Sequence, residues 1–232
     1  EAVFVRLLDL ARSQAAGDPG AEPLLEVLEL DPVQVAGVVT AQAARCEFGA
    51  SAAGRLPRPI HKIDKLVHPA SIGLIGVSAS GMNFGRIILR NLMGSGYPRA
   101  QLRVIRPDAT EIDGVQCVAG LQALDRKLDL LIVAVAADAV YGIVDEIIAS
   151  DSAEAVMLIP GGLGETPASR EPAAALAARI NAAHAGDGGG PIFLGANCLG
   201  VVSHPGSYDS WFIPLERLPK PRKKPERNSV LL

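Results

Sequence analysis

The sequence predicts an α/β fold, a doubly wound and mostly parallel sheet of the Rossmann-like kind, preceded by a small α+β fragment. Three observations predict it. Short, near-continuous apolar runs alternate with amphipathic helical stretches from residue 71 to residue 194, the pattern of strands buried on both faces and joined by helical crossovers. Aromatic residues are only 4% of the chain, which suits close helix-on-sheet packing better than a β-sandwich. Glycine and proline punctuate the runs where a strand would leave the sheet, as at Gly76 and at Pro160-Gly161-Gly162.

The chain opens with helical spacing at Val3, Leu7, Leu8, Leu10 and Ala11, broken at Gly17-Asp18-Pro19-Gly20. Strands are expected over 25–30, ending before Pro32, and over 38–48. A helix and one hairpin cannot bury a core alone. Residues 1–48 therefore read as a piece of a larger domain, 49–68 as a linker and 69–210 as the main domain. Within the main domain strands are expected over 71–77, 102–105, 128–135, 154–159 and 191–194. Helices are expected over 85–93, over a short stretch at 119–124, from a cap at Asp138 to about residue 149, and from 167 to about 184. Residues 211–232 read as a basic, proline-rich linker and the start of a following domain. Both ends look like excision points, since the chain starts at Glu1 within a helical pattern and ends in apolar Val230-Leu231-Leu232.

The segment 71–85, Ser-Ile-Gly-Leu-Ile-Gly-Val-Ser-Ala-Ser-Gly-Met-Asn-Phe-Gly, carries the clearest chemistry. A buried strand running through a Gly- and Ser-rich turn into a helix aims backbone N–H groups at one point, a receptor for phosphate. Gly76 and Gly81 let the backbone approach a ligand, and Ser78 and Ser80 add hydroxyls. In such a sheet the ligand lies past the carboxyl ends of the strands. Those ends carry mostly small residues, which leave room for a large anionic ligand. The spacing is not Gly-x-Gly-x-x-Gly, and the second strand is followed by Arg106 where NAD binders place an acid. A guanidinium there fits a ribose phosphate, which both NADP and coenzyme A carry.

Other classes are disfavoured. No apolar run reaches the roughly 18 to 20 residues that span a bilayer, and the first residues do not read as a signal peptide. Cys46, Cys117 and Cys198 are scattered and odd in number, which suggests neither a disulfide framework nor a zinc site. A cytoplasmic location is expected. The basic stretch 217–227 lacks interleaved aromatics, so a solvated linker is expected there and not nucleic-acid binding.

Five segments lie in order at the five strand ends: Gly-Val-Ser-Ala-Ser-Gly (76–81), Val-Ile-Arg-Pro (104–107), Val-Ala-Val-Ala-Ala (133–137), Leu-Ile-Pro-Gly-Gly-Leu-Gly-Glu (158–165) and Gly-Ala-Asn-Cys-Leu-Gly-Val-Val (195–202). Together they resemble the CoA-binding domain of nucleoside-diphosphate-forming acyl-CoA ligases, the group of succinyl-CoA synthetase and the ADP-forming acetyl-CoA synthetases. The resemblance covers about residues 69–210 and decides for coenzyme A. It implies that Gly76, Val77, Ser78, Ala79 and Ser80 receive the CoA phosphates and that Arg106 lies near the 3′-phosphate. Val135 and Ala136 would border the adenine, and Ile159, Pro160 and Gly161 the pantetheine side. Asn197 is expected to fix its loop through its own backbone hydrogen bonds, and Cys198 to be an inert thiol. The family has Asn-Pro-Lys where this chain has Arg106-Pro107-Asp108, so a carboxylate stands in a phosphate-binding neighbourhood.

The early segment, with Leu-Glu-Val-Leu-Glu-Leu-Asp-Pro-Val-Gln-Val before Val38-Val39-Thr40-Ala41-Gln42-Ala43, resembles the end of an ATP-grasp domain. On that resemblance Glu29 and Asp31 hold magnesium for ATP, while Gln42 stands where a second carboxylate belongs. The resemblance further implies an intact protein that makes acyl-CoA from a small carboxylic acid, CoA and ATP through acyl phosphate and phosphohistidine intermediates. None of His61, His68, His184 and His204 sits in a glycine-rich phosphohistidine loop. The fragment alone is therefore expected to be inactive, with no catalytic residue of its own and with ATP-grasp and phosphohistidine domains as partners. Two alternatives are an acyl-CoA-sensing regulatory module, favoured by Gln42, and an NADP-dependent oxidoreductase domain.

Overall fold

The computed structural model describes residues 24–31, 33–36, 38–49, 58–214, 217 and 230–231. The chain divides into two units, Glu1–Arg55 and Leu56–Leu232. The helix expected near residues 3–11 and most of the basic stretch 217–227 lie outside the described residues.

In the first unit β1 (Leu24–Leu30), β2 (Val33–Ala36), β3 (Val38–Ala41) and β4 (Ala44–Gly49) form two antiparallel pairs, β1 with β4 and β2 with β3. The single strand expected over 38–48 is thus two strands with different partners. The chain bends at Gln42-Ala43, where the Asp31 amide donates to the Ala43 carbonyl (3.0 Å), and β4 departs to pair with β1.

The second unit opens with a 3-10 turn, Ile60–Lys62, running into α1 (Ile63–Val67). The sequence places this segment within the linker expected over 49–68. It is anchored instead by buried Leu66, by the Ser203 hydroxyl on the Val67 carbonyl (2.7 Å) and by the Tyr208 hydroxyl on the Leu66 carbonyl (2.6 Å). Lys62 is buried too, paired with Glu154 (2.8 Å) and donating to the Gly190 carbonyl (2.7 Å). Burial opposes the Glu154 charge, but hydrogen bonds from Lys62 and Lys127 outweigh it and hold its carboxyl below the usual range.

The remaining elements are β5 (Ile72–Ile75), α2 (Phe84–Gly94), β6 (Leu102–Ile105), β7 (Glu111–Ile112), β8 (Val115–Val118), β9 (Leu128–Val133), α3 (Ala137–Ser150), β10 (Ala153–Leu158), α4 (Pro167–Ala185), β11 (Ile192–Leu194), β12 (Val202–Ser203), β13 (Tyr208–Asp209) and β14 (Val230–Leu231). Seven strands make one sheet in the order β11-β10-β9-β5-β6-β8-β7. Every neighbouring pair is parallel except β7 with β8. A second small sheet, β13-β12-β14, is antiparallel.

The sheet is covered on both faces. On one, Ile72, Leu74, Val104, Leu130, Ile132 and Met157 pack with Ile88, Leu89 and Leu92 of α2. On the other, Leu131, Val133, Val156 and Leu158 pack with Val140, Val144 and Ile147 of α3 and Leu176 of α4. Each such side chain contributes about 1.5 to 3 kcal/mol when fully buried. The fold is the doubly wound, Rossmann-like one expected.

Several boundaries move. β5 and β9 end two residues before the expected ends, because Gly76 turns to φ +94° and the Ala134 N–H closes the pairing with a hydrogen bond to the Ile75 carbonyl (2.9 Å). The hairpin of β7 and β8 was not expected at all, although Val115 and Cys117 point inward and Gln116 outward. Asp138 is not the cap of α3. That position is Ala136, while Asp138 lies in the first turn and accepts from the Ala139 amide (3.0 Å), still favourable toward the helix dipole. α4 is capped by Thr166, which exchanges hydrogen bonds with Ser169, and Pro167 supplies its first residue.

The chain runs from β5 to β6 on one side and returns to β9 on the other. The switch point therefore lies between the ends of β5 and β9, where residues 76–81 and 134–136 face each other.

Candidate functional site

The turn after β5 is held by backbone geometry and by one asparagine. A Cβ on Gly76 would lie 2.2 Å from the Ala134 carbonyl oxygen, and one on Gly85 would lie 2.5 Å from the Gly76 carbonyl. These two glycines let the strand end, its neighbour and the start of α2 meet. Asn83 caps α2, its Oδ1 accepting from the Arg86 amide (3.0 Å) and from the Ser78 amide (3.2 Å). Its Nδ2 donates to the Gly76 carbonyl (2.7 Å). The Ser78 hydroxyl accepts from the Gly81 amide (3.1 Å). The amides of Ala79, Ser80, Phe84 and Gly85 have no hydrogen-bond partner among the described residues. Unpartnered amides at a helix N-terminus are what an anion requires.

Sequence reasoning missed Asn83, although an asparagine directly before a helix is a cap signal. Asn83→Ala removes three hydrogen bonds and is expected to cost about 2 kcal/mol of stability. Asn83→Asp keeps the acceptor and loses the donor, so urea denaturation should place it between Asn83→Ala and the unaltered chain.

Two arginines reach the turn. Arg106 donates through Nη1 to the Val77 carbonyl (2.8 Å) and through Nη2 to Asp108 Oδ2 (2.6 Å). Arg86 donates through Nη1 to the Ala79 carbonyl (3.1 Å), while its Nε and Nη2 grip Asp113 (3.0 and 2.7 Å). Arg90 adds a third bond to Asp113 (3.3 Å). The hydrogen bond from Arg86 holds the Asp113 carboxyl below its usual range against the opposing effect of burial, with Arg90 assisting. Arg106 does the same to Asp108. Both arginines are held more firmly protonated in return. Arg103 faces elsewhere, onto the Ala100 and Leu102 carbonyls (2.9 and 2.8 Å), as strand alternation requires.

The structure gathers Gly76, Val77, Ser78, Ala79, Ser80, Gly81 and Arg106 at one place. Val135 joins them, its Cγ1 3.1 Å from where a Gly76 Cβ would stand. Ala136 follows as the exposed cap of α3. Val77 and Ile159 bury their side chains in the core, so each presents only backbone to the crevice.

The end of β10 meets the loop after β11. The Asn197 amide donates to the Pro160 carbonyl (2.9 Å), and its Oδ1 lies 3.0 Å from a Cβ position on Gly161. Contrary to the expectation that it fixes its own loop, Asn197 ties two loops together. Its Nδ2 donates to Glu165 (3.1 Å), whose other oxygen accepts from the Gly162 amide (2.8 Å). No local sequence signal pairs Glu165 with Asn197.

Cys198 donates to the Leu158 carbonyl (3.3 Å), and burial pushes its thiol pKa up. Thiolate is the reactive form. At neutral pH Cys198 should therefore be alkylated by iodoacetamide much more slowly than exposed Cys46, as peptide mass mapping over time would show. Comparable rates would contradict the inert assignment.

In the first unit Glu29 is exposed and pairs with Arg45 (3.4 Å), which also holds Glu47, while Asp31 is exposed. Among the described residues no group of three or more His, Cys, Asp or Glu is placed to hold a metal ion. No helix among them is long and apolar enough to cross a membrane. His68 Nδ1 lies 2.7 Å from Asp64, and His184 Nε2 lies 2.8 Å from the Pro191 carbonyl.

Comparison with known proteins bears on this geometry. A family model described as CoA binding domain matches residues 70–204. Among solved structures the chain is similar to the dinucleotide-forming acetyl-coenzyme A synthetase 1 of Ca. Korarchaeum cryptofilum in complex with phosphate and ADP. Identity is 26%, the TM-score is 0.58, and the match covers 66% of this chain and 31% of that one. The apo form of that synthetase gives the same identity with a TM-score of 0.57. A protein from Pyrococcus horikoshii OT3 shares the fold at 19% identity and TM-score 0.57, over 66% of this chain and 33% of its own. The chain thus spans about a third of the length of these structures. No curated protein matches it.

Proposed function

The chain belongs to the CoA-binding domain family, and we propose that it serves as the CoA-binding module of an ADP-forming acyl-CoA ligase. The observation that carries the reading is the turn at the switch point, with unpartnered amides at Ala79, Ser80, Phe84 and Gly85 and with the guanidinium of Arg106 against it. A pyrophosphate is received by such amides without a metal. Arg106 offers the 3′-phosphate a planar fork. Val135 and Ala136 border the adenine, and the backbone from Ile159 to Gly161, tied to Asn197, guides the pantetheine.

When bound, CoA supplies the thiol that takes up the acyl group. The residues of this chain bind and orient it, and none is assigned a proton or phosphoryl transfer. Acyl phosphate formation falls to ATP-grasp and phosphohistidine domains in the same or a partner chain. Glu29 and Asp31 would offer magnesium two exposed carboxylates, one of them shared with Arg45 and with Gln42 in place of another acid. They do not make a hard-cation site of the usual ligand number, and no step is assigned to them. Gln42 also favours a second reading, an acyl-CoA-sensing module that binds CoA without turnover.

Calorimetric titration of the purified chain with CoA, NAD and NADP tests the reading. CoA should bind more tightly than NAD, since the second strand is followed by Arg106 and not by the acid that receives the NAD ribose. NAD binding as tight as CoA or tighter would overturn it.

A further inference from the structure

Both arginines at the turn are matched by carboxylates from one connection, the segment between β6 and β8 that carries Asp108 and Asp113. The two pairs differ in accessibility. The Asp113 side chain is 20% exposed, held by Arg86 and Arg90 together, whereas the Asp108 side chain is 63% exposed and is paired with Arg106. Asp108 Oδ2 accepts from Arg106 Nη2, and its Oδ1 lies 2.5 Å from the buried Nε, which has no aligned hydrogen-bond partner among the described residues. That is the edge of the guanidinium which a phosphate would otherwise take, since Nη1 is occupied by the Val77 carbonyl.

We propose that Asp108 is a specificity-determining residue of the nucleotide site, a built-in counter-anion that a ribose phosphate must displace from Arg106. The proposal rests on the CoA reading given above. An exposed ion pair is worth little in water, so a dianionic phosphate replaces a single carboxylate readily. A ligand with bare ribose hydroxyls gains nothing from the exchange and leaves the pair closed. The pair therefore sets how much of the affinity depends on the 3′-phosphate. The less exposed Asp113 pair stays intact and keeps Arg86 beside the turn.

The test is titration of CoA and dephospho-CoA against the unaltered chain, Asp108→Asn, Arg106→Ala and the double variant. Asp108→Asn frees the fork and should tighten CoA binding about two- to fivefold, the size of a surface ion pair, while dephospho-CoA binding stays the same. In the Arg106→Ala background the same change should have no effect on either ligand. Unchanged or weaker CoA binding by Asp108→Asn, equal changes for both ligands, or an effect that persists without Arg106 would overturn the role of Asp108 while leaving the CoA reading intact. An unaltered chain that binds neither ligand would overturn both.

Discussion

Gly76→Ala should destabilise the second unit by about 3 kcal/mol or more. At φ +94° an L-residue costs roughly 1 to 2 kcal/mol in backbone strain alone. The added methyl would also stand 2.2 Å from the Ala134 carbonyl oxygen. That oxygen cannot withdraw easily, because the Ala134 amide is bonded to the Ile75 carbonyl in the adjoining strand. Overpacking of this kind adds about 1 to 3 kcal/mol. Gly81→Ala is the control. Gly81 has an ordinary φ, and its nearest neighbour would be Ser78 Oγ at 4.0 Å. It should leave the urea midpoint within experimental error or raise it slightly. Equal midpoints for Gly76→Ala and the unaltered chain would mean that the strand end is not closed as described.

Arg106→Ala should weaken CoA about tenfold and leave dephospho-CoA nearly unchanged. A charge-assisted pair contributes roughly 1.5 to 3 kcal/mol. The lower end applies here because Arg106 must first release Asp108. The mutation also removes the donor to the Val77 carbonyl, a small loss common to both ligands, so the ratio of the two affinities is the quantity to read. Equal weakening of both, or of neither, would move the 3′-phosphate away from Arg106 and make Arg86 the next residue to replace.

The parts of the fold visible in the sequence are those dictated by burial on two faces. Ile72, Leu74, Leu130, Leu131, Ile132 and Val133 have no exposed surface, and apolar runs of that kind can only be central strands. The β7–β8 hairpin escaped because it lies at the sheet edge and alternates with polar Glu111 and Gln116. The proposed position of the site follows from topology, and the proposed role of Arg106 from its place after a strand. What could not be read were pairings across long stretches of chain, such as Lys62 with Glu154, Arg86 with Asp113 and Asn197 with Glu165. Each depends on two elements already packed, and no local pattern encodes it. Asn83 is different, since its cap position is a local signal. The carboxylate of Asp108 was visible in the sequence, but only the structure shows that it is paired with Arg106.

On the proposed reading the phosphates of CoA are received at the turn between β5 and α2. Mapping of ¹H–¹⁵N amide shifts during titration with CoA tests it most directly. The largest shifts are expected at Ala79, Ser80, Phe84 and Gly85, whose amides have no partner among the described residues, with smaller ones at Val135 and Gly161. Saturable CoA binding with its largest shifts on β12 and β13, and none at residues 76–85, would contradict it.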